Sequence, residues 1–268
     1  MSKEPQSLPR EWRILRHEPE SAAWNMAVDE ALARCRLEGQ GVFRIYRWAR
    51  PSLSFGRNQP VKKTYDPEAF ASLGAESVRR PTGGREVLHD RELTYSLVLP
   101  LRTPGGLREV YRLVNEALVQ ALQSLGVVAG LARARGRTPP LDSGACFREP
   151  AAGEVEVAGR KLVGSAQVRM GDTLLQHGSL LLAEPSIRLA SLATAGNGEG
   201  TDREQEGITL SELLAGPISF PEIAATVEAG IAGTLGGRWN RGRLTPREVQ
   251  KAEELVERYR SAEWTWRR

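Results

Sequence analysis

Residues 154–182 read EVEVAGRKLVGSAQVRMGDTLLQHGSLLL, three strand-like runs separated by turn signals at Gly159 and Gly171. Connections this short join neighbouring antiparallel strands. The pattern therefore predicts an antiparallel meander with Lys161 at the start of its middle strand. Gly178, inside the third run, indicates either a β-bulge or a close approach of another backbone segment.

Amphipathic spacing and capping residues predict helices before and after this meander in the sequence. Ser21 caps the first helix, and Thr245, Pro246 and Glu248 form the opening signature of the last one. The predicted helices cover residues 21–37, 107–125, 209–214, 220–235 and 245–259, and further strands are predicted at 43–48, 53–55, 77–80 and 92–99. This order predicts the α/β (α+β) class, with a mainly antiparallel mixed sheet flanked by helices. Residues 1–268 are expected to form a single domain with its core at about 21–260.

The composition is that of a folded protein, with 40% hydrophobic and 26% charged residues. No apolar run approaches the roughly 20 residues of a membrane span, and residues 1–10 contain no apolar signal-peptide core, so we expect a cytoplasmic protein. The formal net charge is +4. The arginines are scattered without interleaved aromatic residues, which argues against nucleic acid as the partner. The mildly basic net charge also fits an encounter with an acidic protein.

The two cysteines have different surroundings in the sequence. Cys35 lies on the apolar stripe of the first predicted helix and is interpreted as a core residue. Cys146 follows Gly144 and Ala145 in a predicted loop, which favours an accessible thiol. Only three histidines accompany them, none at metal-ligand spacing, so no metal is predicted.

A cysteine thiol is an effective nucleophile only as the thiolate, and a nearby ammonium group is one way to form the thiolate at neutral pH. If the fold brings Lys161 beside Cys146, the ammonium would lower the pKa of the thiol. The pair would then suit acyl transfer through a thioester. Gly164 and Ser165 leave room for a ligand along the strand that follows Lys161.

A second candidate site is the loop of residues 79–85, RRPTGGR. Paired glycines allow a close approach of backbone to a ligand, and the flanking arginines favour an anionic or carbonyl-bearing group. A plain tight turn is the alternative interpretation. His89 is expected in a polar loop just beyond, and His177 is either a general base for Cys146 or a hydrogen-bonded structural histidine.

Together these segments resemble the biotin/lipoate protein ligase superfamily, on its lipoate and octanoate side. The matching segments, in the order of that superfamily, are residues 24–31, 79–85, 88–90, 92–96, 159–167 and 175–182. Because Cys146 precedes the lysine of the Gly-Arg-Lys segment, the sequence is most similar to the cysteine-dependent octanoyltransferases.

The resemblance implies a single catalytic domain that works without ATP or a cofactor. It implies that Cys146 accepts octanoyl from the phosphopantetheine thioester of acyl carrier protein, and that a lysine of a lipoyl-accepting protein, typically the glycine cleavage H protein, then attacks the acyl-enzyme. Lys161 would activate Cys146 and bind the thioester carbonyl. The candidate substrate-binding residues are Arg80, Thr82, Gly83, Gly84, Arg85, His89, Gly164, Ser165, His177 and Gly178.

Three alternatives remain open at this point. The chain could be an amidotransferase that moves octanoyl or lipoyl between lipoyl proteins, an ATP-dependent lipoate ligase in which Cys146 is incidental, or a non-catalytic binding module. The short segment after the last helix favours a transferase over the larger ligases. Glu86 stands where the resemblance implies a small residue, and it is expected either to repel an anionic ligand or to point outward.

Overall fold

The computed structural model describes residues 8–61, 64–101, 106–133, 147, 150–194, 207–217 and 219–267. The strands are β1 Glu11–Arg16, β2 Gln40–Tyr46, β3 Ser52–Phe55, β4 Glu76–Arg79, β5 Val87–His89, β6 Glu92–Pro100, β7 Gly130–Leu131, β8 Val155–Val157, β9 Arg160–Met170, β10 Thr173–Leu181 and β11 Arg238–Arg241. The helices are α1 Ala22–Cys35, α2 Pro67–Ser72, α3 Gly106–Ser124, α4 Leu210–Leu213, α5 Phe220–Leu235, α6 Pro246–Arg260 and α7 Ala262–Thr265, with a 3₁₀ turn at Leu189–Leu192.

Within the described residues the strands form two sheets. The larger sheet has the order β11-β1-β2-β6-β10-β9-β8-β7, and the smaller has the order β4-β3-β5. Pairing is parallel at β11-β1, β1-β2 and β3-β4, and antiparallel at the other junctions. The predicted fold class, a mainly antiparallel mixed sheet flanked by helices, is confirmed.

The meander that the sequence predicts is formed by β8, β9 and β10. Ala158 and Gly159 both have positive φ, 51° and 82°, the backbone conformation that a tight hairpin of type I′ requires. Gly178 pairs in continuous register with Ser165 on one side and Tyr95 on the other, so no bulge occurs there. A Cβ at position 178 would stand 2.6 Å from the carbonyl oxygen of Gly164, so close backbone approach explains this glycine.

Helix α1 begins at Ala22, where the Ser21 side chain accepts a hydrogen bond from the Trp24 backbone N–H, as its sequence predicts. It ends at Cys35 rather than Leu37, and Cys35 is buried. The prediction of a single buried face is incomplete. Polar residues on the other side, including Asp29 and Glu30, are also buried, because α6 and the large sheet enclose the helix from two directions.

The parallel strands β1 and β11, at one end of the strand order of the large sheet, were not predicted from the sequence. Strand β1 pairs with β2, which follows helix α1, and β11 pairs with β1 from the far end of the chain. Because neither pairing is made through a hairpin turn, no local sequence signal indicates these strands. Side-chain packing supplies what the local sequence lacks: Trp12 of β1 stacks on Trp239 of β11 with ring centroids 4.6 Å apart.

Helices cover both faces of the large sheet. Helices α3 and α5 contribute to one apolar cluster, and α1 and α6 contribute to the other. Helix α6 opens with the predicted capping box of Thr245 and Glu248. The small sheet shares an apolar cluster with α2 and the 3₁₀ turn, and a cavity lies between this sheet and strands β9 and β10 of the large sheet. No helix among the described residues is both long and apolar enough to cross a membrane.

Candidate active site

A cavity of about 330 Å³ lies between the two sheets. This volume is within the range of about 300–1,000 Å³ that is usual for small-molecule sites. Its wall includes the candidate residues Arg80, Gly83, Gly84, Arg85, His89, Lys161, Gly164, Ser165, His177 and Gly178, together with Met26, Tyr46, Trp48, Ser54, Val87, Thr94, Tyr111, Ala151, Glu154, Ala166, Gln167 and Ser179. Segments separated by more than 70 residues in the sequence therefore meet around one space, which is a candidate active site.

Lys161 is the cationic side chain of the β9 wall, and it is only 1% exposed. Its ammonium Nζ lies 2.7 Å from the carboxylate oxygens of Glu154. The ring of Phe147 lies against the same ammonium, with 5.0 Å between Nζ and the ring centroid. Phe147 is the residue after Cys146, and Cys146 itself lies outside the described residues.

Gly164 makes room for the lysine. A Cβ at this position would stand 2.9 Å from Cε of Lys161 and 3.2 Å from the ring of Phe147. The lysine stem thus fills the space that any larger residue at position 164 would need. The small residues after Lys161, which the sequence indicates as room for a ligand, also accommodate the lysine itself.

The RRPTGGR loop is held from within by Arg80, whose guanidinium donates to the backbone carbonyls of Ser54 (2.8 Å), Gly83 (2.9 Å) and Arg85 (2.5 Å). Gly84 has a φ of +91°, which favours glycine. The loop also passes so close to Gly56 that a Cβ there would stand 1.8 Å from the Gly84 carbonyl oxygen. Arg80 therefore shapes the loop, and it lines the cavity together with Gly83, Gly84 and Arg85.

His89 does not lie in a polar loop, contrary to the prediction. It ends β5, is buried, and stacks on Trp48 with ring centroids 4.0 Å apart. Its Nε2 is 2.7 Å from the Ser54 hydroxyl, and its Nδ1 is 2.6 Å from the Glu92 carboxylate. The strand pairing of β3 with β5 brings Ser54 and His89 together, a pairing that no local pattern indicates.

His177 has protein partners at both ring nitrogens. Its Nδ1 is 3.4 Å from a carboxylate oxygen of Asp29, and its Nε2 is 2.5 Å from the Thr82 hydroxyl. Burial lowers the pKa of His177 from its ordinary value, against the opposing effect of Asp29. A neutral ring then donates from Nδ1 to Asp29 and accepts from Thr82 at Nε2. These contacts favour the structural interpretation of His177, and they place Thr82 behind the cavity wall.

A buried ion pair that the sequence did not predict lies behind the cavity-lining residues Tyr46 and His177. The guanidinium of Arg44 donates to Asp29 at 2.8 Å, and both side chains are fully buried. Tyr46 and Ser96 donate to the same carboxylate. Since a buried pair costs less when its remaining polar groups are satisfied, this dense set of hydrogen bonds is what makes the burial of these charges tolerable. Arg44 holds the pKa of Asp29 below its ordinary value, although burial alone would raise it.

The hydroxyl of Ser165 links the cavity wall to helix α3. It lies 2.7 Å from the Tyr95 hydroxyl and donates to Asn115 at 3.3 Å. Burial raises the pKa of Tyr95 to about 12, so its phenol stays protonated and available as a donor. These contacts fix the orientation of Ser165 at the cavity surface.

Glu86 neither points outward nor faces the cavity, so both expectations for it are wrong. It is buried and accepts hydrogen bonds from Tyr65 (2.7 Å) and Gln59. The carboxylate turns away from the RRPTGGR loop into the layer beneath the small sheet. The acid at this position therefore holds the end of the loop through its hydrogen bonds with Tyr65 and Gln59.

Sequence reasoning missed several wall residues. Met26 falls in the segment 24–31 that carries the family resemblance, so a signal for it existed. Tyr46 and Trp48 follow the alternation of a strand, which indicates burial but not a ligand site. Tyr111 and Glu154 carry no local signal, because only the packing of α3 and the β8 hairpin against β9 brings them to the cavity.

The chain belongs to a family defined by the lipoyl protein ligase A/B catalytic domain, whose family model matches residues 21–232. Solved structures with the same fold include a lipoate-protein ligase A bound with ATP (24% identity, TM-score 0.79, covering 96% of this chain and 98% of that one). A bi-partite lipoate protein ligase from Thermoplasma acidophilum is similar to the same degree (24% identity, TM-score 0.78, 96% of both chains).

Curated relatives are more similar in sequence. One is the octanoyltransferase LipM of Kyrpidia tusciae, 41% identical over 96% of this chain and 99% of that protein. Another is the octanoyltransferase LipM of Carboxydothermus hydrogenoformans, 35% identical over 96% of this chain and 98% of that protein. The predicted membership of the lipoate and octanoate branch is confirmed.

Proposed function

We propose that this protein is an octanoyltransferase of lipoate biosynthesis that moves an octanoyl group from acyl carrier protein to a lysine of a lipoyl-accepting protein, through a thioester on Cys146. The similarity that carries the proposal is the 41% identity over 96% of the chain to a relative named octanoyltransferase LipM. The glycine cleavage H protein is the acceptor we propose. A single catalytic domain over residues 1–268, acting in the reducing cytoplasm where a free thiol persists, completes the proposal.

The chemistry needs two exchanges at one carbonyl. The Cys146 thiolate attacks the octanoyl thioester, the bond from the carbonyl carbon to the phosphopantetheine sulfur breaks, and a new thioester forms on the enzyme. The acceptor amine then attacks this thioester, an amide forms, and Cys146 leaves as thiolate while the amine gives up a proton. The first exchange is nearly isoenergetic and the second is downhill, so ATP is not needed.

The protein therefore has to position the acyl chain and stabilise a developing oxyanion. Apolar and aromatic side chains such as Met26, Trp48 and Val87 line the cavity and suit an aliphatic chain. Lys161 brings a positive charge to the opposite wall, where it can act on the thioester carbonyl. The packing of Phe147 against Lys161 supports the pairing of Lys161 with the neighbouring residue in the chain, Cys146.

The intact mass of the protein after mixing with octanoyl-acyl carrier protein, without ATP, tests this proposal. We expect the mass of the native protein to rise by one octanoyl group and that of Cys146→Ala to stay unchanged. Adding the acceptor protein should discharge the adduct and transfer the octanoyl group to the acceptor.

Other outcomes point to the alternatives. An adduct formed from octanoyl-H protein, but not from octanoyl-acyl carrier protein, would identify an amidotransferase. Transfer that requires ATP and free octanoate, and that survives Cys146→Ala, would identify a ligase. The absence of any transfer with all of these donors would leave only a binding role.

A further inference from the structure

Glu154 is the residue of the cavity wall whose position most needs a functional explanation. The residue is 4% exposed, and its carboxylate lies 2.7 Å from the ammonium of Lys161. Taking both charges out of water is costly, and such a pair gains little stability over apolar residues of the same size. A buried pair at the edge of a reaction cavity is better explained by the orientation it imposes on the lysine.

The carboxylate of Glu154 is itself held rigidly. Its Oε2 accepts a hydrogen bond from the backbone N–H of Ala151 at 2.7 Å, within the turn that precedes β8. That turn is fastened to helix α3, because Asn115 donates to the carbonyl of Gly153 at 2.8 Å. The main chain of Glu154 also pairs with Ala132, whose N–H donates to the Glu154 carbonyl at 2.8 Å. Glu154 is thus a fixed anchor rather than a mobile surface acid.

Asn115 also connects this anchor to the strand that carries Lys161. Its amide oxygen accepts from Ser165, which lies on β9 next to Gly164, and Gly164 is where the lysine stem packs. Helix α3 therefore sets the position of both the carboxylate that holds the lysine and the strand segment beneath the lysine.

We infer that Glu154 is a positioning residue that holds the Lys161 ammonium in the orientation needed at the reacting carbonyl. This inference rests on the proposed function and extends it to a residue that does not itself touch the acyl group. A misplacement of about 1 Å can cost an enzyme on the order of 10²-fold in rate. Losing the anchor should therefore lower the rate of acylation without weakening the binding of the acyl chain.

A double-mutant cycle with Glu154→Gln, Lys161→Gln and the combined variant tests the inference. Acylation of Cys146 by octanoyl-acyl carrier protein is followed by intact mass at several donor concentrations, so that kcat and KM are determined separately for each variant. We expect Glu154→Gln to lower kcat by about 10²-fold, with KM nearly unchanged. In the Lys161→Gln background the same change should cost less than about twofold, because Glu154 then has no ammonium to position.

Glu116→Gln is the matched control. It removes a carboxylate from an exposed ion pair with Arg112 on helix α3, the helix that also carries Asn115, and it should leave the rate unchanged. If Glu154→Gln does not fold, as judged by thermal unfolding, the cycle is run with Glu154→Asp, which keeps the charge and shortens the reach. An equal loss of rate in both lysine backgrounds would overturn the inference, because it would show that Glu154 acts independently of Lys161.

A second readout separates this inference from the proposed function. The rate of Cys146 alkylation by iodoacetamide is measured in the same variants, with Cys146→Ala giving the background from the buried Cys35. We expect a slower rate in Glu154→Gln and no further effect in the Lys161→Gln background. A faster rate in Glu154→Gln would mean that the carboxylate acts on the thiol directly, and would overturn the inference. If octanoyl transfer is absent while the alkylation cycle still shows coupling, the proposed function fails and the positioning role stands.

Discussion

At the scale of single residues, the proposed chemistry depends most on Lys161. Its burial, its contact with Glu154 and the ring of Phe147 against its ammonium leave it little freedom to move. The sequence indicates Lys161 as the candidate partner of Cys146, but it does not indicate that Lys161 is buried or that Glu154 and Phe147 are its neighbours.

The first residue-scale prediction concerns the reactivity of Cys146. A positive charge near a thiol favours its thiolate form, so Lys161→Ala should raise the pH midpoint of Cys146 alkylation. The measurement is the rate of iodoacetamide labelling as a function of pH in both proteins. Identical midpoints would show that Lys161 does not act on Cys146.

The second residue-scale prediction concerns His17, which accepts a hydrogen bond from Arg44 at Nδ1 (2.9 Å). Burial, assisted by the charge of Arg44, lowers the pKa of His17 to about 4. Because the unfolded chain takes up this proton first as the pH falls, stability should be lost between about pH 6.5 and pH 4.

Gln at position 17 can still accept from Arg44 but does not titrate, so it is the informative substitution. Urea unfolding at pH 7 and pH 4.5 should show that the native protein loses about 2 kcal/mol more than His17→Gln over this interval. If the two proteins lose the same free energy of unfolding, His17 is not responsible for acid sensitivity.

At the scale of elements, strands β9 and β10 of the meander form one wall of the candidate site, and their close spacing depends on Gly178. This residue is on β10, where it lies between Ser165 of β9 and Tyr95 of β6. Strict alternation along β9 would direct Lys161 and Ala166, the β9 partner of His177, to opposite faces, and the register shift against Val155 and Glu156 of β8 interrupts that alternation next to Lys161. The register of these strands therefore determines which of their side chains line the candidate site.

Gly178→Ala should destabilise the protein, because the added methyl group would stand 2.6 Å from the backbone carbonyl of Gly164 and 2.7 Å from the ring of Tyr95. Overpacking of this kind typically costs about 1–3 kcal/mol. The measurement is the free energy of unfolding in urea. Gly233→Ala is the control, since its Cβ meets nothing within 4 Å on helix α5 and should leave stability equal or slightly higher.

At the scale of the whole molecule, the site exists because two sheets and two helices meet at one place. The small sheet supplies the RRPTGGR loop and His89, the large sheet supplies Lys161 and His177, α1 supplies Met26, and α3 anchors the turn that carries Glu154. The intact-mass experiment with octanoyl-acyl carrier protein belongs to this scale, because it asks whether the assembled cavity performs the transfer.

Much of the fold and part of the site could be predicted from local sequence. The meander, the helices α1, α3, α5 and α6 and the capping box at Thr245 follow from periodicity, glycine turns and capping residues, all of which act over a few residues. The resemblance of the motifs identified the family and the octanoyltransferase relatives, and most of the candidate binding residues do line one cavity.

The tertiary structure alone decided the rest, because those features depend on contacts between residues far apart in the chain. The parallel strands β1 and β11, the burial of His89 and Glu86, and the use of Arg80 to hold its own loop could not be read from a local pattern. The pairing of Glu154 with Lys161 is the clearest case. Periodicity shows which residues are buried, but only the packing of sheets and helices determines which buried charges meet.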